Sequence, residues 1–237
     1  MKKLDGEIVD GLLLFFIVLF LFLGTYQRNS LWNNEVELWK DCVKKSPQKE
    51  RTHHNLGFAY YELGQWEAAQ AEFERALRLN PFYSLSMYNL GLVFYQKGLM
   101  AEAIDLYQKA IALNPNHPDS FYNMGLAYYQ KGNFTEAIEA YKELIDLAPG
   151  YKNVYVSLGK AYKKLKQRRK AIAAFDEELR YDRDNFFAYA ELGWIYKELK
   201  DYPKALENFR KALTYPSLPN AEEIGRMISS IETDQKQ

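Results

Sequence analysis

Apolar positions in this chain follow two patterns. From Glu50 to Pro219 they come three and four residues apart, and the whole arrangement returns every 34 residues. Leu56, Leu90, Met124, Leu158 and Leu192 are each followed by a glycine: Gly57, Gly91, Gly125, Gly159 and Gly193. An aromatic stands three places after each glycine, at Tyr60, Phe94, Tyr128, Tyr162 and Tyr196. Later in each repeat comes an alanine (Ala69, Ala103, Ala137, Ala171, Ala205) and, four places on, an aromatic (Phe73, Tyr107, Tyr141, Phe175, Phe209). Such spacing puts each set on one side of a helix. Every repeat therefore predicts two amphipathic helices, with Gly64, Gly98 or Gly132 suited to the turn between them. The glycine and the alanine are small enough for two helix backbones to approach, and the aromatics fill the space beside the contact. One such hairpin cannot bury its apolar face alone, so neighbours must stack into a solenoid. Counted from Glu50, the five repeats are 50–83, 84–117, 118–151, 152–185 and 186–219.

The second pattern is a continuous run. Gly11 to Gly24 reads GLLLFFIVLFLFLG, and Ile8, Val9, Thr25 and Tyr26 extend it to about 19 residues, close to the roughly 20 that cross a bilayer as a helix. It predicts a transmembrane signal anchor at 8–26 behind a short tail at 1–7. No A-x-A-like cleavage site follows, and Tyr26 and Trp32 suit a membrane interface. A cleaved signal peptide and a buried helix are the other readings. Lys2 and Lys3 oppose Arg28 and more distant lysines. The expected orientation is a single-pass protein with its N terminus inside and its repeats extracytoplasmic, periplasmic or lumenal; cytoplasmic placement is the alternative.

Two flanking segments extend the repeats. In 27–49, Trp32, Val36, Trp39 and Val43 share a helical stripe, and Pro47 closes it in register with Pro81, Pro115 and Pro149. This predicts a half-repeat helix docked on the first repeat, or alternatively an amphipathic helix lying on the bilayer. In 220–237, Ile224, Met227, Ile228 and Ile231 form a one-sided apolar face, which predicts a capping helix and a tail.

The strings NLGFAYYELG, NLGLVFYQKG and NMGLAYYQKG resemble the first helix of the tetratricopeptide repeat, and EAAQAEFERALRLNP and EAIDLYQKAIALNP resemble its second. The resemblance covers about 50–219. It implies an all-α, right-handed superhelical solenoid whose first helices line a concave groove for peptides or other proteins. Departures cluster late: Arg183 stands where the closing proline is expected, and Glu178 occupies a usually small position. Both predict a looser junction there. The carboxylate clamp found in some members is not matched, because His54, Phe58, Asn89, Asp119 and Asn123 stand at the corresponding places and only Asn89 agrees. The passage TYQRNSLWNNEVELWKDCVKKSPQKERTHHNLG is similar to a junction in O-mannosyltransferase-like membrane proteins with transmembrane and tetratricopeptide regions. That likeness implies extracytoplasmic repeats and a membrane glycosyltransferase partner, and supplies no catalytic residue.

On the groove side the resemblance places Asn55, Asn89 and Asn123 in one column, continued by Ser157 and Glu191. An amide both donates and accepts, so such a column can hold an extended peptide backbone without reading its side chains. Tyr61, Tyr95 and Tyr129 stand beside it, with Tyr88 and Tyr122, and tyrosine is enriched among interface hot spots. The competing reading is that the asparagines serve inter-repeat geometry. Lys160, Lys163, Lys164, Lys166, Arg168, Arg169 and Lys170 then concentrate positive charge. Lys160, Lys163 and Lys164 are expected to face the groove, either as a solvated basic face or as an anion site.

Composition narrows the function classes. The 31 basic and 31 acidic residues cancel, so nothing draws the chain as a whole to nucleic acid. The single Cys42 excludes an intrachain disulfide and a cysteine metal cluster. His53 and His54 are adjacent and point about 100° apart on a helix, unlike an i, i+4 metal pair. No catalytic motif, metal site or cofactor is expected. The sequence reads as a membrane-anchored scaffold that binds a protein or extended peptide in its groove, for assembly or recruitment at a cell envelope. The alternative is a non-catalytic accessory part of a membrane glycosyltransferase system.

Overall fold

The computed structural model describes residues 34–215 and 218–234, together with Phe16, Leu19 and Phe20. The described chain is an all-α solenoid of helical hairpins, divided into two compact units. The N-terminal unit, Met1–Lys97, holds α1 (Glu35–Lys45), α2 (Glu50–Glu62), α3 (Trp66–Leu79) and α4 (Ser84–Gln96). The C-terminal unit, Gly98–Gln237, holds α5 (Met100–Leu113), α6 (Pro118–Lys131), α7 (Phe134–Leu147), α8 (Val154–Lys164), α9 (Arg168–Tyr181), α10 (Phe186–Glu198), α11 (Tyr202–Ala212) and α12 (Ala221–Asp234).

The glycine–aromatic pairs of the sequence meet inside the hairpins. A methyl group added at Gly57 would lie 2.9 Å from the Phe73 ring and 3.2 Å from the Ala69 carbonyl oxygen. At Gly159 it would lie 2.6 Å from the Phe175 ring. Phe73, Tyr141, Phe175 and Phe209 are fully buried, so each ring occupies the space that a side chain on the first helix would need. This contact sets how closely α2 and α3, or α8 and α9, approach.

The turns inside the hairpins require a left-handed residue. Gly64, Gly98 and Gly132 supply it with φ of 69°, 77° and 86°. In the last two repeats the same place falls to Lys166 and Lys200, at φ 58° and 60°. A lysine there carries the steric cost that glycine avoids.

The junction after the fourth repeat differs from the others. α9 packs on α10 less extensively than α5 on α6 or α7 on α8, in line with the departures at Glu178 and Arg183. A polar network occupies its centre. Glu178 is buried, and its carboxylate accepts from Asn185 Nδ2 at 3.0 Å. The same amide nitrogen faces Asn153 Oδ1 at 2.9 Å, while Asn185 Oδ1 accepts from the Ala188 N–H at 3.1 Å. Burial pushes the Glu178 carboxyl above its usual range, opposed by the backbone N–H groups of Val156, Asn153 and Tyr155. Those N–H groups belong to the first turn of α8 and to its N-cap, Asn153, which is left-handed at φ 62°. A carboxylate from α9 thus satisfies donors that the helix cannot satisfy itself. α8 begins at Val154, two residues after the start of its repeat at 152.

Each unit has its own covering helix. Val36, Trp39 and Val43 of α1 pack with Leu56, Ala59 and Tyr60 of α2, so that apolar stripe is engaged with the protein. Trp32 lies outside the described residues. In the C-terminal unit, Ile224 and Ile231 of α12 are buried with Leu206 and Phe209 of α11, and Met227 and Ile228 pack beside them.

One expectation is corrected here. No helix among the described residues is long and apolar enough to cross a membrane. Of the run at 8–26 only Phe16, Leu19 and Phe20 are among the described residues. The rest lies outside the described residues. The transmembrane signal anchor is therefore removed from the fold class. With it go the membrane as partner, the single-pass topology and the extracytoplasmic placement that rested on it.

Candidate functional site

In the N-terminal unit the candidate groove residues sit on α2 and α4. Asn55 and Tyr61 on α2 are half-buried, and the Tyr61 ring lies between Phe58 at 6.4 Å and Trp66 at 5.2 Å. Tyr88 and Tyr95 on α4 are also half-buried. Asn89 is different: at 7% exposure it is buried.

Two histidines beside these residues are structural. His53 Nδ1 lies 2.6 Å from Glu72 Oε2 and its Nε2 lies 3.0 Å from the Pro47 carbonyl oxygen, which ties α2 to α3 and to the segment after α1. His54 Nδ1 is 2.9 Å from Ser86 Oγ, and its ring packs against Phe73 and Tyr83 at 5.6 and 5.0 Å. Burial, with Arg51 nearby as a smaller cause, lowers the His54 pKa to about 4. A neutral imidazole thus bridges α2 and α4. Among the described residues no group of three or more His, Cys, Asp or Glu is placed to hold a metal ion.

In the C-terminal unit the two sets of sequence candidates separate and recombine. Tyr122 on α6 is half-buried: its ring centroid is 5.0 Å from Tyr151 and 6.1 Å from Tyr141, and its hydroxyl is 3.4 Å from Ser157 Oγ. Asn123 is half-buried, and its Nδ2 donates to the Asp119 carbonyl oxygen at 2.9 Å. Tyr129, by contrast, shares one cavity with Lys160, Lys163 and Lys164. Lys166, Arg168, Glu191 and Glu198 complete its lining, and its volume is about 610 Å³. Successive first helices α6, α8 and α10 supply most of these side chains.

The electrostatics of this cleft are uneven. Lys163 Nζ reaches Glu191 Oε2 at 2.6 Å, with Lys160 Nζ at 4.0 Å from the other oxygen. Arg168 Nε reaches Glu198 Oε2 at 3.1 Å. Lys160 also stands 5.6 Å over the Phe187 ring. Five cations face two carboxylates, so positive charge remains in excess. Burial, and then the charge of Glu191, raise the Tyr129 phenol above its usual pKa, keeping it a hydroxyl donor. Glu191 and Glu198 are the residues that the basic run alone does not reveal. The repeat places Glu191 in the groove column, one period after Ser157, but does not pair it with the α8 lysines; Glu198 has no such signal.

Comparison with known proteins agrees with the geometry. Tetratricopeptide repeat models match residues 54–118, 106–139, 153–185 and 186–215, and a TPR repeat model matches 125–166. Among solved structures, MamA from Desulfovibrio magneticus RS-1 superposes with a TM-score of 0.66 at 22% identity, over 70% of this chain and 93% of that one. YrrB, described as a TPR protein with an unusual peptide-binding site, gives 0.67 at 20% identity, over 81% and 99%. PilF of Pseudomonas aeruginosa gives 0.69 at 19% identity, over 87% and 94%. No curated protein matches, and the likeness of the N-terminal passage to O-mannosyltransferase-like proteins finds no support. The overlapping repeat matches run from 54 to 215, through the same helices whose glycine–aromatic contacts are described above. The chain belongs to the tetratricopeptide repeat family.

Proposed function

We propose that this chain is a non-catalytic scaffold that binds an extended peptide or a peptide-like segment of a protein on the faces of its first helices. The observation that carries the reading is the cleft of the C-terminal unit. Its volume is about 610 Å³, and Tyr129, Lys160, Lys163 and Glu191 enter it from three successive first helices. The second helices bury their aromatics against the glycines and leave this face available. YrrB, similar in fold, is described as having a peptide-binding site, which is consistent with this use of the architecture. In the N-terminal unit the residues best placed to take part are Asn55 and Tyr61, with Tyr88 and Tyr95 beside them. Asn89 is buried and serves the packing instead, Tyr122 is half-buried against Tyr151 and Tyr141, and Asn123 is partly engaged by its own helix. The asparagine column is therefore reduced in this reading, and the tyrosines and lysines carry more of it. The likeness to the glycosyltransferase-associated passage contributes nothing to it.

The test is a selection of displayed random peptides on the full-length chain. Binders should lose about 1–2 kcal/mol when Tyr129→Ala removes a hot-spot ring, with helical content unchanged. Selected peptides that bind Tyr129→Ala and Tyr61→Ala as well as they bind the parent would contradict the proposal.

A further inference from the structure

The cleft of the C-terminal unit has a chemistry more specific than peptide binding in general. We infer that it takes an acidic segment, an extended peptide bearing carboxylates on alternate residues. The inference rests on the reading that first-helix faces bind an extended chain, and it names the class of ligand for that face.

Three observations lead there. The chain as a whole is neutral, yet this cleft gathers Lys160, Lys163, Lys164, Lys166 and Arg168 against Glu191 and Glu198. The internal pairs use only part of that charge. Lys163 and Arg168 have carboxylate partners within 3.1 Å, Lys160 shares Glu191 at 4.0 Å, and Lys164 and Lys166 have no ion partner among the described residues. A ligand with negative charges would meet two cations that nothing in the fold neutralises.

The second observation is spacing. Lys160 and Lys164 are one turn apart on α8, which is roughly 6 Å along the helix axis. Side chains on alternate residues of an extended peptide share one face and are separated by roughly 6.6 Å. Two carboxylates on such a peptide can therefore each meet a lysine while the backbone runs along the helix.

The third is the position of Glu191. Its carboxylate sits among the lysines and would repel a compact dianion. An extended backbone, however, presents N–H groups between its acidic side chains, and these can donate to Glu191 while the carboxylates reach the lysines. The Tyr129 hydroxyl is a donor for a peptide carbonyl in the same cleft. Charges of both signs thus have partners on an acidic peptide, which a uniformly basic surface would not offer.

The experiment measures binding of four labelled probes to the full-length chain by fluorescence anisotropy: a Glu-Gly alternating peptide, its Gln-Gly and Lys-Gly counterparts, and polyuridylate. The Glu-Gly peptide should bind about tenfold more tightly than the Gln-Gly peptide at low salt, as two charge-assisted contacts allow, and the preference should shrink as salt rises. The exposed pair Lys164→Glu and Lys166→Glu, made together, should abolish the preference. Glu191→Gln keeps an oxygen acceptor for the peptide N–H groups but removes the charge that holds Lys163 and Lys160, so it should strengthen Glu-Gly binding several-fold, a gain that misfolding cannot produce. Equal binding of the Glu-Gly and Gln-Gly peptides overturns the inference but leaves the peptide-binding reading standing. Binding of no peptide overturns both. Tighter binding of polyuridylate than of the Glu-Gly peptide overturns the inference in favour of nucleic acid.

Discussion

At the residue scale, the glycines and lysines of the first helices divide between packing and chemistry. Gly159 has the Phe175 ring where a side chain would go, only 2.6 Å from an added methyl group. Gly159→Ala should cost about 1–3 kcal/mol by overpacking, read as a lower denaturant midpoint with the slope unchanged. Lys200 presents the opposite case. It holds φ at 60° in the turn where earlier repeats use glycine, so Lys200→Gly should raise stability by about 1 kcal/mol. A neutral or destabilising result would show that the turn costs the lysine nothing. His54 gives a pH dependence whose sign is fixed. Its folded pKa is about 4 against an ordinary 6.5, so the unfolded chain binds the proton more readily. Stability is fully present above pH 6.5 and falls as the pH drops toward 4, by about 3 kcal/mol in all. NMR titration of the ring should show a midpoint near 4, and a midpoint near 6.5 would refute the buried, neutral imidazole.

At the scale of the helices, much was legible in the sequence because the signals were local or periodic. Glu50, Ser84, Pro118 and Phe186 begin helices in step with the 34-residue period. The aromatics four places after the repeated alanines are fully buried. What the period could not show were partners from neighbouring helices. α8 starts at Val154, and Glu178, on the next helix, meets the N–H groups of its first turn. Sequence reasoning identified Glu178 as out of place and expected a looser junction, but not the polar network that replaces the packing. Asn89 looked like a member of an exposed column and is instead interior, since its fate depends on helices outside its own. The network makes its own forecast. Asn185→Ala would leave the buried Glu178 carboxylate without its amide donor and should destabilise the C-terminal unit by about 1–3 kcal/mol. If the variant unfolds at the same denaturant concentration as the parent, the network contributes nothing to that unit.

At the scale of the whole chain, a neutral total charge conceals a strongly basic cleft within one unit. Composition could not reveal this, because the compensating carboxylates are distributed elsewhere. The basic run was visible in the sequence, as were the groove tyrosines, but nothing local indicated that Tyr129 and the α8 lysines share a cavity. That convergence comes from stacking α6, α8 and α10, and it is the central claim about function. The apolar run at 8–26 misled the sequence reading in the other direction, since the described fold contains no helix that could cross a membrane. The most direct measurement is NMR chemical-shift mapping of the full-length chain, with a peptide selected for binding as ligand. The account predicts the largest changes at Tyr129, Lys160, Lys163, Lys164 and Glu191, on α6, α8 and α10. Changes concentrated instead on the second helices α7, α9 and α11 would contradict it.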